Sequence, residues 1–354
     1  MRTVLAILLA MTAACGGDDS NATPDATPDA ATVDYNVPVF DMLPQFGIYT
    51  SADPTDYTPP AGVTMWAHGT VFVTKLTPDM QAMIGADVAA QITYIAQCDN
   101  YDRLGGLFFL EEPVGQAPQE TDPRVELVRW ITPFSDYTRS HKTLAYPDAD
   151  ISAFAGTIAS ADHDIWIGVQ GGSNPYDQDP CAGTSMPDSF KEVGFLYSVN
   201  LASKHVLGNG ASLTLSAVDN PNVTTVPIDG TLVNPGDQIA GHVNVIVSGH
   251  GPGQGGDEYE HTMDTVLLDG TSIGTFDTMI DCAPFAASSP DGNPGIFQGN
   301  TTTNPRNWCP GAIVPIHTFP AALPAGSHTV ELQIDPDQVP DGSYYDTSIS
   351  FGAP

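Results

Sequence analysis

The sequence predicts an all-β protein built from β-sandwiches or jelly rolls, and two observations carry that reading. Short runs alternating polar and apolar residues recur along the chain, whereas helical spacing is nearly absent. Gly, Pro, Asn and Asp separate the runs; with 34 Gly and 31 Pro in 354 residues, strands must end soon after they begin.

Segments of a different kind precede the first strand. Arg2 supplies a short basic start, and residues 4–11 form an aliphatic run too short to remain as a membrane span. Thr12-Ala13-Ala14-Cys15 then sets small residues before a cysteine, the cleavage pattern of bacterial lipoproteins. Residues 1–14 are expected to be removed and Cys15 lipidated, since several acyl chains anchor stably where one is marginal. Gly16, rather than aspartate, follows Cys15, which favours an exported protein on the outer membrane. Residues 15–60 continue as a disordered tether rich in Pro, Asp, Ala and Thr, with Ala-Thr-Pro-Asp repeated from Ala22 and Ala26. Its Pro-rich residues 36–60 would lie against the first domain.

The remainder divides near residues 203–209 into domains spanning 61–205 and 206–354. Strands are expected over 70–76, 106–110, 127–131, 164–169 and 194–201 in the first. Residues 78–90 carry a modest helical signal, with Met80, Met83, Ile84 and Val88 at mixed spacing. In the second domain, strands are expected over 212–218, 242–249 and 262–268, with 328–334 and 344–351 closing the sandwich. Residues 283–306 make a long loop of Gly, Asn, Ser, Thr and Pro, and a loop of that length is usually functional or stapled. The cysteines at its two ends suggest a staple.

Charge excludes some partners. A net charge of −32, from 42 acidic and 10 basic residues, cannot track nucleic-acid phosphates or an anionic membrane face. Membrane contact is therefore expected only through the lipid. With Cys15 lipidated, Cys98, Cys181, Cys282 and Cys309 remain, an even number suited to two disulfides in an oxidising compartment, with three pairings open.

Three blocks and a cysteine pair then become recognisable. Arg306-Asn307-Trp308-Cys309-Pro310-Gly311 resembles the Trp-Cys-Pro-Gly signature of the peptide-N-glycosidase F family, with Cys282 where that family places the disulfide partner. Cys98-Asp99-Asn100-Tyr101-Asp102-Arg103 resembles the family's Cys-Asp-x-Trp-Asp-Arg segment, and Arg129-Trp130-Ile131-Thr132-Pro133-Phe134 the strand after it. Ser248-Gly249-His250-Gly251, followed by Asp257-Glu258-Tyr259, resembles its Gly-His-Gly stretch and acidic-aromatic pair. The resemblance implies two antiparallel eight-stranded jelly-roll sandwiches packed side by side, with a site in the groove between them.

It also implies hydrolysis of the amide joining asparagine to the first N-acetylglucosamine of an N-glycan. Such chemistry needs an activated water, a proton for the leaving nitrogen and donors for a tetrahedral oxyanion. Asp102 matches the principal catalytic aspartate and Glu258 a second acid that acts through water. Arg103 would bind substrate or pair with an acid. Tyr259, Trp308 and Tyr101 are candidates for stacking sugar, with His250 and Arg306 as further substrate contacts. No cofactor or metal is implied; the partner is an N-glycosylated protein or peptide, and the chain is expected to be a monomer.

Departures from the pattern accompany the matches. The family's third acid has no counterpart in Ile165-Trp166-Ile167-Gly168-Val169-Gln170, and Arg306 is displaced by one residue. The usual partner of the Cys98 position is missing, leaving Cys181, in an inserted-looking stretch, as the alternative partner. Rival readings follow. One is a glycan- or glycoprotein-binding surface module that has lost turnover. Another is a purely structural envelope lipoprotein. A third is a copper-dependent monooxygenase using His242, His250, His261 and Met263, since peptidylglycine hydroxylases share the paired jelly rolls.

Overall fold

The computed structural model describes residues 33–49, 51–175, 181–183, 191–205, 213–251, 261–290, 306–335 and 344–353. Cys15, Glu258 and Tyr259 lie outside the described residues. Four antiparallel sheets form two sandwiches. In the first, one sheet runs β1 (Val33–Phe46), β10 (Val193–His205), β4 (Asp87–Ala96) and β7 (Thr143–Ala145), with the short β8 (Ala149–Asp150) also on β4. Its partner runs β2 (Val63–Trp66), β3 (Val71–Lys75), β9 (His163–Gly171), β5 (Leu104–Pro113) and β6 (Val125–Ile131). The second sandwich packs β11 (Leu213–Val223), β18 (Tyr344–Ala353), β13 (Ile239–His250) and β16 (His317–Leu323) against β12 (Ile228–Asn234), β17 (Gly326–Gln333), β14 (Met263–Leu268) and β15 (Thr271–Asp277).

Period-two burial drives these elements. Along β4, Val88, Ala90, Ile92, Tyr94 and Ala96 all point inward, buried against Leu107, Phe109 and Val169 of the facing sheet. The core is aromatic where the sheets meet: the Trp130 and Tyr197 rings lie 5.0 Å apart at 87°, an edge-to-face pair. Gly105 makes room for it, because a Cβ there would lie 2.3 Å from Trp130 Nε1 and 2.6 Å from Tyr197 Oη. The second core gathers Val243, Val245, Val266, Leu332 and Phe351 in the same manner.

Two expectations about local structure need correcting. Residues 78–90 are not one helix. α1 spans only Pro78–Ala82, capped by the Thr77 hydroxyl accepting from Met80 N at 3.2 Å, and β4 begins at Asp87. Val33–Phe46 is not tether but the long strand β1, burying Val37, Phe40, Leu43 and Phe46 against β10. As an edge strand, it tolerates Pro38 and Pro44, which misled the compositional reading.

Two disulfides are present among the described residues. Cys282 pairs with Cys309, closing the expected staple, and Cys98 pairs with Cys181. Among the described residues no helix is long and apolar enough to cross a membrane.

Candidate active site

The sandwiches meet along a seam whose apolar centre is Ile131 from the first and Ile246, Trp308 and Val314 from the second, with Leu104 and Ile316 packed on it. The chain after Cys309 straps this seam: Gly311 N donates to Ile131 O at 3.0 Å, Ile131 N to Ala312 O at 2.9 Å, and Val314 N to Arg129 O at 2.9 Å. β6, already paired with β5 on one side, thus gains main-chain partners from the second sandwich on the other.

A buried ionic network reinforces the seam. Arg129 Nε and Nη2 donate to the two Glu126 carboxylate oxygens at 2.9 and 2.6 Å, and both residues are 4% exposed. The same guanidinium reaches across, through Nη1, to Ser248 Oγ at 3.0 Å and to the Asp346 carbonyl. Burial alone would weaken the Arg129 charge; the carboxylates of Glu126 and Asp346 outweigh it and hold the group protonated. Ser248 Oγ lies 3.0 Å from His250 Nε2. Burial lowers His250 to about 4, Asp346 opposing and Arg129 assisting, so the imidazole is neutral at neutral pH. Its ring stacks on Tyr344 at 5.2 Å and tilts against Trp308 at 5.5 Å. None of Glu126, Arg129 or Ser248 had been given a role from sequence. A charged pair inside the continuous apolar run of β6 was the available signal.

Asp102 sits on the connection between β4 and β5. It is half-buried, with Oδ2 shielded from solvent. Arg103 follows it, and its side chain turns to Asp99 instead: Nε donates to Asp99 Oδ2 at 2.8 Å and Nη2 to Oδ1 at 3.3 Å. The guanidinium also lies 5.1 Å from the Tyr101 ring centroid. Of the two roles expected for Arg103, an ion pair is therefore present, and its partner is Asp99. Leu104, next in the chain, packs into the seam cluster with Trp308, bringing the Asp102 connection to the Trp308 and His250 region.

Trp308 and Arg306, expected as sugar contacts, are enclosed. Both are 4% exposed, and Trp308 Nε1 donates to Gly249 O at 2.8 Å while the Arg306 guanidinium lies 5.2 Å from its ring. Neither offers an open face; they lock the strap to the end of β13, helped by Asn307 Oδ1 accepting from Gly249 N at 2.9 Å. His250 is likewise enclosed, its side chain 12% exposed. On β9, Gln170 accepts from Arg124 Nη1 at 3.2 Å, and Arg124 Nε reaches Asp219 of the second sandwich at 2.6 Å. The ligands of the copper reading do not meet. His242 and His250 stand eight residues apart on β13, about 27 Å along an extended strand, and His261 Nδ1 sits 2.6 Å from Asp277 Oδ1.

Comparison with known proteins agrees with this architecture. Residues 227–350 match the family described as peptide-N-glycosidase F, C terminal. The second sandwich thus resembles the C-terminal domain of the peptide-N-glycosidase F family. Solved structures extend the likeness of fold to the first sandwich. A structure of PNGF-II superposes with a TM-score of 0.66 at 18% identity, over 90% of this chain and 65% of that one. The chain thus spans just under two thirds of PNGF-II. Recombinant peptide:N-glycanase F aligns with a TM-score of 0.55 at 14% identity, over 90% of this chain and 96% of that one. A peptide-N(4)-(N-acetyl-β-D-glucosaminyl)asparagine amidase gives 0.57 at 14% identity, over 91% and 96%. No curated protein sequence matches the chain.

Proposed function

We propose that this peptide-N-glycosidase F relative hydrolyses the amide between an asparagine side chain and the first N-acetylglucosamine of an N-glycan. The observation that supports it most is Asp102, half-buried with one oxygen out of solvent, on a connection whose Leu104 packs into the seam of a paired-sandwich fold shared with a known amidase. Asp102 takes a proton from water, which attacks the amide carbon. It returns that proton to the glycosylamine nitrogen as the carbon–nitrogen bond breaks, leaving aspartate in the protein. Glu258, carried over from the family pattern, assists through water, with Tyr259 stacking sugar. Arg103, which follows Asp102 in the chain and is ion-paired with Asp99, is the positive charge offered to the developing oxyanion. No cofactor enters this scheme, and the substrate is an N-glycosylated protein or peptide met by a monomer. Export fits the two disulfides, and anchoring follows from lipidation at Cys15. Glycan release from a denatured glycoprotein tests the reading: wild type should release N-glycan and Asp102→Asn should not. Equal release by both removes Asp102 from the mechanism.

One observation favours a second reading, a glycan-binding module without turnover. Gln170, in the stretch where the family carries its third acid, is a neutral amide bonded to Arg124. Binding of a glycoprotein by wild type without release of glycan would select it.

A further inference from the structure

We propose that Asp99 is the positioning residue of this site, its enclosed carboxylate fixing Arg103 and the turn that presents Asp102. The inference rests on the assignment of Asp102 and Arg103 to the reaction. Asp99 is 0% exposed, so it cannot touch a substrate. It acts through what it holds. Four N–H groups converge on its two oxygens: Arg103 Nε and Nη2, Tyr101 N at 3.0 Å, and Asn174 N at 2.6 Å. The forked contact with guanidinium is the strong, directional kind. The bond to Tyr101 N, two residues on, is an Asx turn that starts the bend toward Asp102.

The main chain anchors the same residue to both sheets of the first sandwich. Cys98 N donates to Val193 O at 3.0 Å and Asp99 N to Gly194 O at 3.3 Å, both on β10, while Asn174 leaves β9 in the opposite sheet. Space there is tight, since a Cβ on Gly194 would lie 3.1 Å from Asp99 Cβ. The neighbouring Cys98–Cys181 disulfide adds a covalent tie. On the far side of the turn, Arg103 N donates to Thr132 Oγ1 and Thr132 N to Arg103 O, each at 2.7 Å. Thr132 Oγ1 lies 3.3 Å from Tyr101 O. Asp102 is therefore the apex of a bend whose flanking residues are both pinned, and Asp99 supplies the pins on one side.

Asp99→Asn keeps the side chain's shape and removes its charge and one acceptor. For glycan release we expect kcat to fall about 100-fold, the scale of an ångström's misplacement, with KM changed less than about threefold. Arg103→Lys should lower kcat similarly, and the double variant should be no worse than either single. An independent readout is modification of Arg103 by phenylglyoxal, followed by peptide mapping: it should be slow in wild type and at least about tenfold faster in Asp99→Asn. Unchanged modification, or losses of kcat that multiply in the double variant, overturns the proposal. Should Asp99→Asn fail to fold, exchange of the Arg103 Nε–H in wild type decides: protection supports the proposal, and exchange as fast as in an exposed arginine overturns it. A wild type that releases no glycan defeats the amidase reading alone, because the modification and exchange measurements still judge Asp99.

Discussion

Replacing Arg129 by methionine removes the cation at the centre of the seam while keeping much of its volume. The structure sets the size of the effect. Glu126 would keep a carboxylate at 4% exposure without the guanidinium that receives both oxygens, and Ser248 Oγ and the Asp346 carbonyl would lose the same donor. Breaking one side of such a pair costs about 3–5 kcal/mol, because the stranded ion cannot regain its hydration. For a chain of this size, 4 kcal/mol corresponds to a fall of about 6 °C in Tm. Glu126→Leu should cost a comparable amount by stranding the guanidinium. The double variant Glu126→Leu/Arg129→Met should return to within about 1 kcal/mol of wild type, since an apolar pair needs no hydration. Urea unfolding of the four proteins, followed by tryptophan fluorescence, closes the cycle. A loss below about 1 kcal/mol for Arg129→Met would refute the reasoning, as would a double variant showing the sum of the single losses.

Three further outcomes are expected. His250, lowered to about 4 by burial, binds its proton more weakly in the folded than in the unfolded chain, whose value is near the ordinary 6.5. Its contribution is thus full above 6.5 and lost between 6.5 and 4, by up to about 3 kcal/mol. His317, also lowered to about 4 by burial, titrates in the same window. Urea stability measured against pH should therefore fall less steeply for His250→Asn than for wild type, and an identical slope would show that His250 does not contribute. Gly105→Ala drives a methyl into Trp130 and Tyr197 and should cost about 1–3 kcal/mol in thermal unfolding. Replacing Cys282 and Cys309 together by serine opens a bridge of sequence separation 27, for a loss near 3.5 kcal/mol by chain entropy. The same loss should follow reduction of that bridge in wild type, measured by urea unfolding.

Which strands were legible follows in part from where they lie in their sheets, although the edge strands β6 and β11 were legible too. β3, β5, β9, β10, β13, β14, β17 and β18 are interior, hydrogen-bonded on both sides, and each shows an apolar or alternating run in the sequence. Those passed over were mostly edges. β1 carries Pro38 and Pro44, β16 carries Pro320, β12 contains Gly230 and β15 contains Gly274. An edge has one side without ladder partners, so it accepts residues that read as turn formers. β4 is the interior exception. Its alternation starts at Val88, soon after Met80 of α1 and the Met83 and Ile84 that follow that helix, and the two patterns merge into one helical signal.

The site divides along a different line. Of the blocks recognised through motifs, two meet at the seam only through Leu104, which follows Arg103, and Trp308, which pack into one cluster. An indole and a guanidinium in a loop suggest sugar contacts, yet burial turns Trp308 and Arg306 into fastenings of the strap. The charges that set the geometry were hidden for the opposite reason. Glu126 and Arg129 stand among apolar residues that read as core, and a charged residue there is tolerable only if it is paired. For Arg129, part of that partner set is Ser248 and the Asp346 carbonyl, over a hundred positions away in sequence. No local pattern encodes such a pairing. A charged pair buried inside an apolar run is therefore the signal to follow: Glu126 and Arg129 pair locally, and the remaining donor of Arg129 reaches Ser248 and the Asp346 carbonyl of the second sandwich, so the pair marks the seam itself.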